Sequence, residues 1–98
     1  MSMAKSTKQI VVFHMDGCPA CHDYLPRFRR IAVKYRPFLS IKAANISVAS
    51  NAATADKYKI KAAPTTLILD ATDKVLKRYP GALDTKAIED VFTEALKG

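Results

Sequence analysis

The chain has 98 residues, enough for one small domain with a single core, and it is read as one domain over 1–98. Its make-up, 49% apolar and 26% charged with three glycines, is that of an ordinary compact soluble protein. The formal charge of +7 invites a nucleic-acid reading, yet the cations are spread along the chain without aromatic–basic interleaving, so no nucleic-acid partner is expected.

The polar start, Met1 to Gln9, leads into an apolar run of only four residues, Ile10 to Phe13, too short for a signal core or a membrane span. Gln9 to His14 reads as a buried strand. A helix follows from Cys18 or Pro19 to Tyr35, with Leu25, Phe28, Ile31, Ala32 and Tyr35 at the three-and-four spacing of one buried face. Pro26 inside it predicts a kink rather than an end, since the periodicity continues on both sides, and Arg36-Pro37 stops it. Arg27, Arg29, Arg30, Lys34 and Arg36 fall mainly on its polar side and read as a solvated face.

Leu39 to Asn45 predicts a second strand, and Ser50 to Tyr58 a short helix with Ser50 as N-cap. Thr66 to Asp70 and Val75 to Tyr79 flank the polar turn Ala71 to Lys74 and predict a hairpin. Asp84 caps a last helix whose face is Ile88, Val91, Phe92, Ala95 and Leu96. The order strand, helix, strand, helix, strand, strand, helix predicts an α/β fold: a four-stranded mixed sheet with helices on both faces.

The only two cysteines stand in Cys18-Pro19-Ala20-Cys21, at the junction of the first strand and helix. A disulfide across so short a loop constrains the unfolded chain weakly, so the pair serves redox chemistry better than scaffolding and fits a reducing compartment. A sulfur at a helix N-terminus meets partial positive charge that stabilises a thiolate. Cys18 is therefore the expected nucleophile, and Cys21, one turn further in, the buried resolving thiol. His14 and His22 could in principle join the cysteines as zinc ligands, but His22 points around the helix and no second C-x-x-C exists. No metal is expected, and the cytoplasm is the expected compartment.

Four landmarks in order make the chain resemble the thioredoxin superfamily. They are the strand leading into Cys18-Pro19-Ala20-Cys21; Pro26, five residues after the second cysteine; Tyr58-Lys59-Ile60-Lys61-Ala62-Ala63-Pro64-Thr65; and Pro80-Gly81-Ala82-Leu83. The resemblance implies the minimal, glutaredoxin-sized form of that fold, lacking the N-terminal strand and helix. It also implies a cis-proline at Pro64, and a substrate groove formed by Gly17, Pro19, Ala20, Ala63, Pro64 and Gly81. There the Ala63 backbone pairs with an extended substrate segment.

The departures from that family are specific. Gly17 stands where thioredoxins usually have tryptophan, Pro19-Ala20 replaces Gly-Pro, and the buried aspartate and its lysine partner align with Val12 and Ala43. With the aspartate gone, Asp16, Asp23 and His22 are the nearby polar candidates to replace it. The glutathione signature of glutaredoxins is not matched by Gly81-Ala82-Leu83-Asp84. The implied activity is reduction of protein disulfides by a monomer. No cofactor beyond the dithiol is expected, and electrons come from a flavoprotein reductase or glutathione. Glutaredoxin-like or oxidising exchange is the alternative within the class; a basic, non-catalytic binding subunit is the alternative outside it.

Overall fold

In the computed structural model, which describes residues 6–97, the run Ile10 to Phe13 sits at the centre of strand β1 (Gln9–His14) and is buried on both sides. The polar residues expected before it lie in part, over positions 1–5, outside the described residues. The elements that follow are helix α1 (Pro19–Tyr35), β2 (Ser40–Asn45), α2 (Ala49–Lys57), β3 (Thr65–Leu69), β4 (Val75–Pro80) and α3 (Thr85–Leu96). They build one mixed sheet in the order β2-β1-β3-β4, with β1 parallel to β2 and antiparallel to β3, and β3 antiparallel to β4. This is the expected four-stranded α/β architecture.

Alternation along the strands sends their side chains to two different cores. Ile10, Val12 and Ile68 pack with Tyr24, Phe28, Ile31 and Ala32 of α1 and with Ile88, Val91, Phe92 and Ala95 of α3. Val11, Phe13, Leu67 and Leu69 face the other way, against Tyr58 at the end of α2. Helices therefore cover both faces. Among the described residues no helix is long and apolar enough to cross a membrane.

Helix α1 runs unbroken through Pro26. Its buried set extends beyond the expected stripe to Cys21 and Tyr24, while Leu25 and Tyr35 are only partly buried. The Tyr24 hydroxyl is satisfied inside the core by the Thr66 hydroxyl at 2.8 Å. Arg29, Arg30, Lys34 and Arg36 do form a solvent-facing row, whereas Arg27 is drawn inward.

Two local expectations are corrected. Ser50 is not the N-cap of α2: the helix begins at Ala49, its N-cap Val48 makes no side-chain bond, and the preceding turn is held by Asn45 and Asn51 instead. Asn45 Oδ1 accepts from Ser47 N at 2.9 Å and Asn51 Nδ2 donates to the Asn45 carbonyl at 3.0 Å, so the turn closes early enough for the helix to begin before Ser50. Leu96, counted on the core face of α3, is 41% exposed because the helix ends there and turns its last residue outward. Asp84 does cap α3, accepting from Ala87 N at 2.8 Å.

Candidate active site

β1 ends at His14, and the chain must turn sharply to enter α1. Gly17 makes that turn at φ +68°, a conformation that disfavours any side chain although a Cβ there would touch nothing. Cys18 is then the N-cap of α1, in extended conformation, with Pro19 opening the first turn. Its sulfur accepts a hydrogen bond from Cys21 N at 3.1 Å, in the manner of a capping oxygen. No acidic side chain occupies the first turn, so nothing within it offsets the positive end of the helix.

Both cysteines are free thiols, and they differ in setting. Cys18 is partly exposed, while Cys21 is 2% exposed behind it. Burial pushes the Cys21 thiol up, its hydrogen bond with the Cys18 sulfur adds to that, and a bond from the Met15 backbone acts in the opposite direction.

The segment before β3 comes up against this pair from the side. The Cys18 thiol lies 3.6 Å from the Ala63 carbonyl, and the Ala63–Pro64 peptide is cis. Thr65 holds the loop by donating its hydroxyl to the Ala62 carbonyl at 2.6 Å. Gly81, at φ +85° with open space where a Cβ would stand, donates its N–H to the Pro64 carbonyl at 2.8 Å. The loop after Gly81 is tied in turn to α1, since Arg27 donates to the Leu83 carbonyl at 2.6 Å and pairs with Asp23 at 2.8 Å. Gly17, Cys18, Ala63, Pro64 and Gly81 thus lie along one connected margin. Ala20 sits exposed on the first turn of α1.

The cysteines also border a cleft of about 570 Å³, lined among others by His14, Asp16, His22 and Asn45. The three expected stand-ins for the missing carboxylate sit differently around it. Asp23 points outward, its side chain 75% exposed and held by Arg27. Asp16 accepts from Asn45 Nδ2 at 3.0 Å, and His22 is exposed. Val12, which aligns with the buried aspartate of the family the chain resembles, is fully buried in hydrocarbon and in register with Ala43.

His14, weighed from sequence only as a metal ligand, is half-buried at the cleft wall. Burial, helped by the Arg29 guanidinium, holds its imidazole below the usual range, with Asp16 pulling the other way. Thr65 and Arg27 were also missed as site supports. For Arg27 the signal was readable, because Asp23 stands one helical turn earlier.

A free dithiol at a strand-to-helix junction, one sulfur open and one buried, on a four-stranded α/β sheet, defines a thioredoxin-fold dithiol protein. The thioredoxin family model matches residues 2–94, and the chain belongs to that family. Among solved structures it is similar to Fasciola hepatica thioredoxin, with a TM-score of 0.79 and 22% identity over 93% of this chain and 83% of that one. It is similar also to a Malassezia sympodialis thioredoxin (Mala s 13), described as a member of a pan-allergen family, with a TM-score of 0.79 and 16% identity over 95% of this chain and 78% of that one. At such identity these likenesses speak for the fold. No curated protein sequence matches the chain. Family and fold together support a role of the thiol–disulfide oxidoreductase type.

Proposed function

We propose that the protein reduces disulfides in other proteins, with Cys18 as nucleophile and Cys21 as resolving thiol. The observation that carries this is the Cys18 sulfur at the N-terminus of α1, accepting the Cys21 N–H at 3.1 Å while remaining partly open to solvent. A helix end and an N–H donor both favour negative charge on that sulfur.

The Cys18 thiolate attacks one sulfur of a substrate disulfide; a Cys18–substrate bond forms and the other substrate sulfur leaves as a thiolate. Cys21 then attacks Cys18, closing the ring disulfide and releasing the second substrate thiol. Two electrons pass from the dithiol to the substrate, so no bound cofactor is needed. The backbone at Ala63 and the open space at Gly81 suit an extended substrate segment laid beside Cys18. A flavoprotein reductase or glutathione returns the electrons.

Direction is tested by the equilibrium potential of the Cys18–Cys21 pair in glutathione and dithiothreitol buffers. A value near about −270 mV supports a reductant, and one near about −120 mV overturns the direction in favour of disulfide donation. Cys18→Ser abolishes turnover of a disulfide-bonded protein, and Cys21→Ser accumulates the mixed disulfide. Turnover that survives Cys18→Ser refutes the assignment.

A further inference from the structure

Resolution of the mixed disulfide requires Cys21 to lose its proton, and its surroundings oppose this. The thiol is 2% exposed, and Val12, the position that aligns with the family's buried aspartate, is fully buried in hydrocarbon. Cys21 borders the cleft of about 570 Å³, which gives a base a route to the thiol.

Of the polar residues around that cleft, Asp16 is engaged by Asn45 and His22 is exposed on the outer turn of α1. His14 is placed otherwise. It is the last residue of β1, its carbonyl fixed by Ile46 N at 2.8 Å, and it is separated from the Met15 backbone bond to Cys21 by a single peptide. Its side chain borders the same cleft as both sulfurs, and the space there admits several waters.

We propose that His14 relays the proton of the resolving step: its neutral imidazole takes the Cys21 proton through cleft water and returns it to the departing substrate thiolate. The proposal rests on the disulfide-exchange reading above. The balance is closed. The Cys21 S–H bond breaks and imidazolium forms, and the Cys21–Cys18 bond forms as the Cys18–substrate bond breaks. The leaving thiolate then takes the proton, restoring neutral imidazole. Because His14 acts through water, it is a positioning residue for the proton rather than a contact of the reacting sulfurs.

The groups facing the imidazole are Arg29 of α1, Asp16 of the turn, and Cys18, Cys21 and His22 across the cleft. Burial and Arg29 favour the neutral imidazole, the form a base requires, while Asp16 opposes them.

The test mixes the dithiol protein with oxidised glutathione, quenches with acid, and follows mixed and ring disulfides by mass against pH. The wild type should show a resolution limb in the imidazole range. In His14→Gln resolution near neutrality should fall about a hundredfold, the low end for a general base, and the limb should move up into the thiol range. Added imidazole should restore His14→Ala. In Asp16→Asn, which keeps His14, the limb should move to lower pH, and this reads the relay even if the His14 variants fail to fold.

A His14→Gln profile that superimposes on the wild type overturns the relay, as does an Asp16→Asn limb that does not move. If the wild type forms neither the mixed disulfide at Cys18 nor the ring disulfide, the exchange reading falls and takes the relay with it. If the mixed disulfide forms and resolves independently of His14, the relay alone falls.

Discussion

The two faces of the sheet are built to different depths. On one, α1 and α3 close over Ile10, Val12 and Ile68, and their aromatic rings run in a chain: Tyr24 to Phe28 at 5.8 Å, Phe28 to Phe92 at 5.4 Å, and Phe92 stacked on Tyr35 at 4.9 Å. On the other, α2 contributes one buried residue, Ala55, and a cleft of about 400 Å³ runs along Phe13, Tyr58 and Leu69. The deep face carries the helix that presents Cys18 and buries Cys21. The shallow face ends in the segment that leads to Ala63 and Pro64. In this fold the nucleophile rests on the better-packed side, while the loop it meets is held largely by hydrogen bonds from Thr65, Gly81 and Arg78.

This contrast predicts the largest single effect at Phe92, which is fully buried where α1, α3 and the sheet meet. Phe92→Ala should cost about 3–5 kcal/mol of unfolding free energy, measured by urea titration, because close-packed neighbours cannot collapse into the void. Tyr58→Ala removes a ring of similar size from the shallow face, together with its hydroxyl bond to the Asp73 carbonyl at 3.0 Å. It should cost less, about 2 kcal/mol, since the neighbouring cleft already leaves one side of the ring unpacked. Equal losses from the two substitutions would break the contrast.

Between β3 and α1 the deep face also holds a polar contact, the Tyr24 and Thr66 hydroxyls at 2.8 Å. Tyr24→Phe leaves Thr66 Oγ1 buried without that partner, and about 1–2 kcal/mol should be lost. Thr66→Val in the same background should recover much of it, because removing both partners of a buried pair is cheaper than removing one. The double variant sharpens the comparison by showing how far the deep face tolerates a purely apolar interior.

The deep face was also the more legible in sequence. A four-residue apolar run and a three-and-four periodicity carry their own geometry, so β1 and α1 emerge with the bounds expected. The cysteine pair is legible for the same local reason: strand end, glycine turn and helix start are neighbours in the chain. Tyr24 stands four residues before Phe28 and so falls on the same helical stripe, but its hydroxyl marks it as a residue for the surface until its buried partner Thr66, 42 positions away, is known. Ser50 misled because the turn before α2 is satisfied by Asn45 and Asn51, whose side chains bond across the loop rather than at the helix start. Of the site's supports, Gly81 came with the resemblance and the Arg27–Asp23 pair was readable from its helical spacing, whereas the Arg27 bond to the Leu83 carbonyl and the Thr65 bond to the Ala62 carbonyl are contacts that no periodicity exposes. His14 belongs with them, since its position beside Cys21 follows from the cleft between β1, β2 and α1.

The smallest effect lies at the rim of the deep face, where Glu89 of α3 reaches α1. Its carboxylate takes Lys34 Nζ at 2.6 Å and the Tyr35 hydroxyl at 3.0 Å, and these donors, Lys34 first, hold it below the usual carboxylate range. A carboxylate depressed in the folded state contributes stability that is fully present above its unfolded value and is lost as pH falls through its folded one. The wild type should therefore lose stability on moving from neutral to acid pH by slightly more than Glu89→Gln does, with the two converging once the carboxylate is protonated. Because the pair is exposed and screened by salt, the difference should shrink further at high ionic strength. Urea midpoints at neutral and acid pH, at low and high salt, measure it. A Glu89→Gln chain that keeps the full pH dependence would show that the two helices of the deep face are joined by their apolar packing, Phe28 and Tyr35 against Phe92, with the charged rim contributing nothing to the junction.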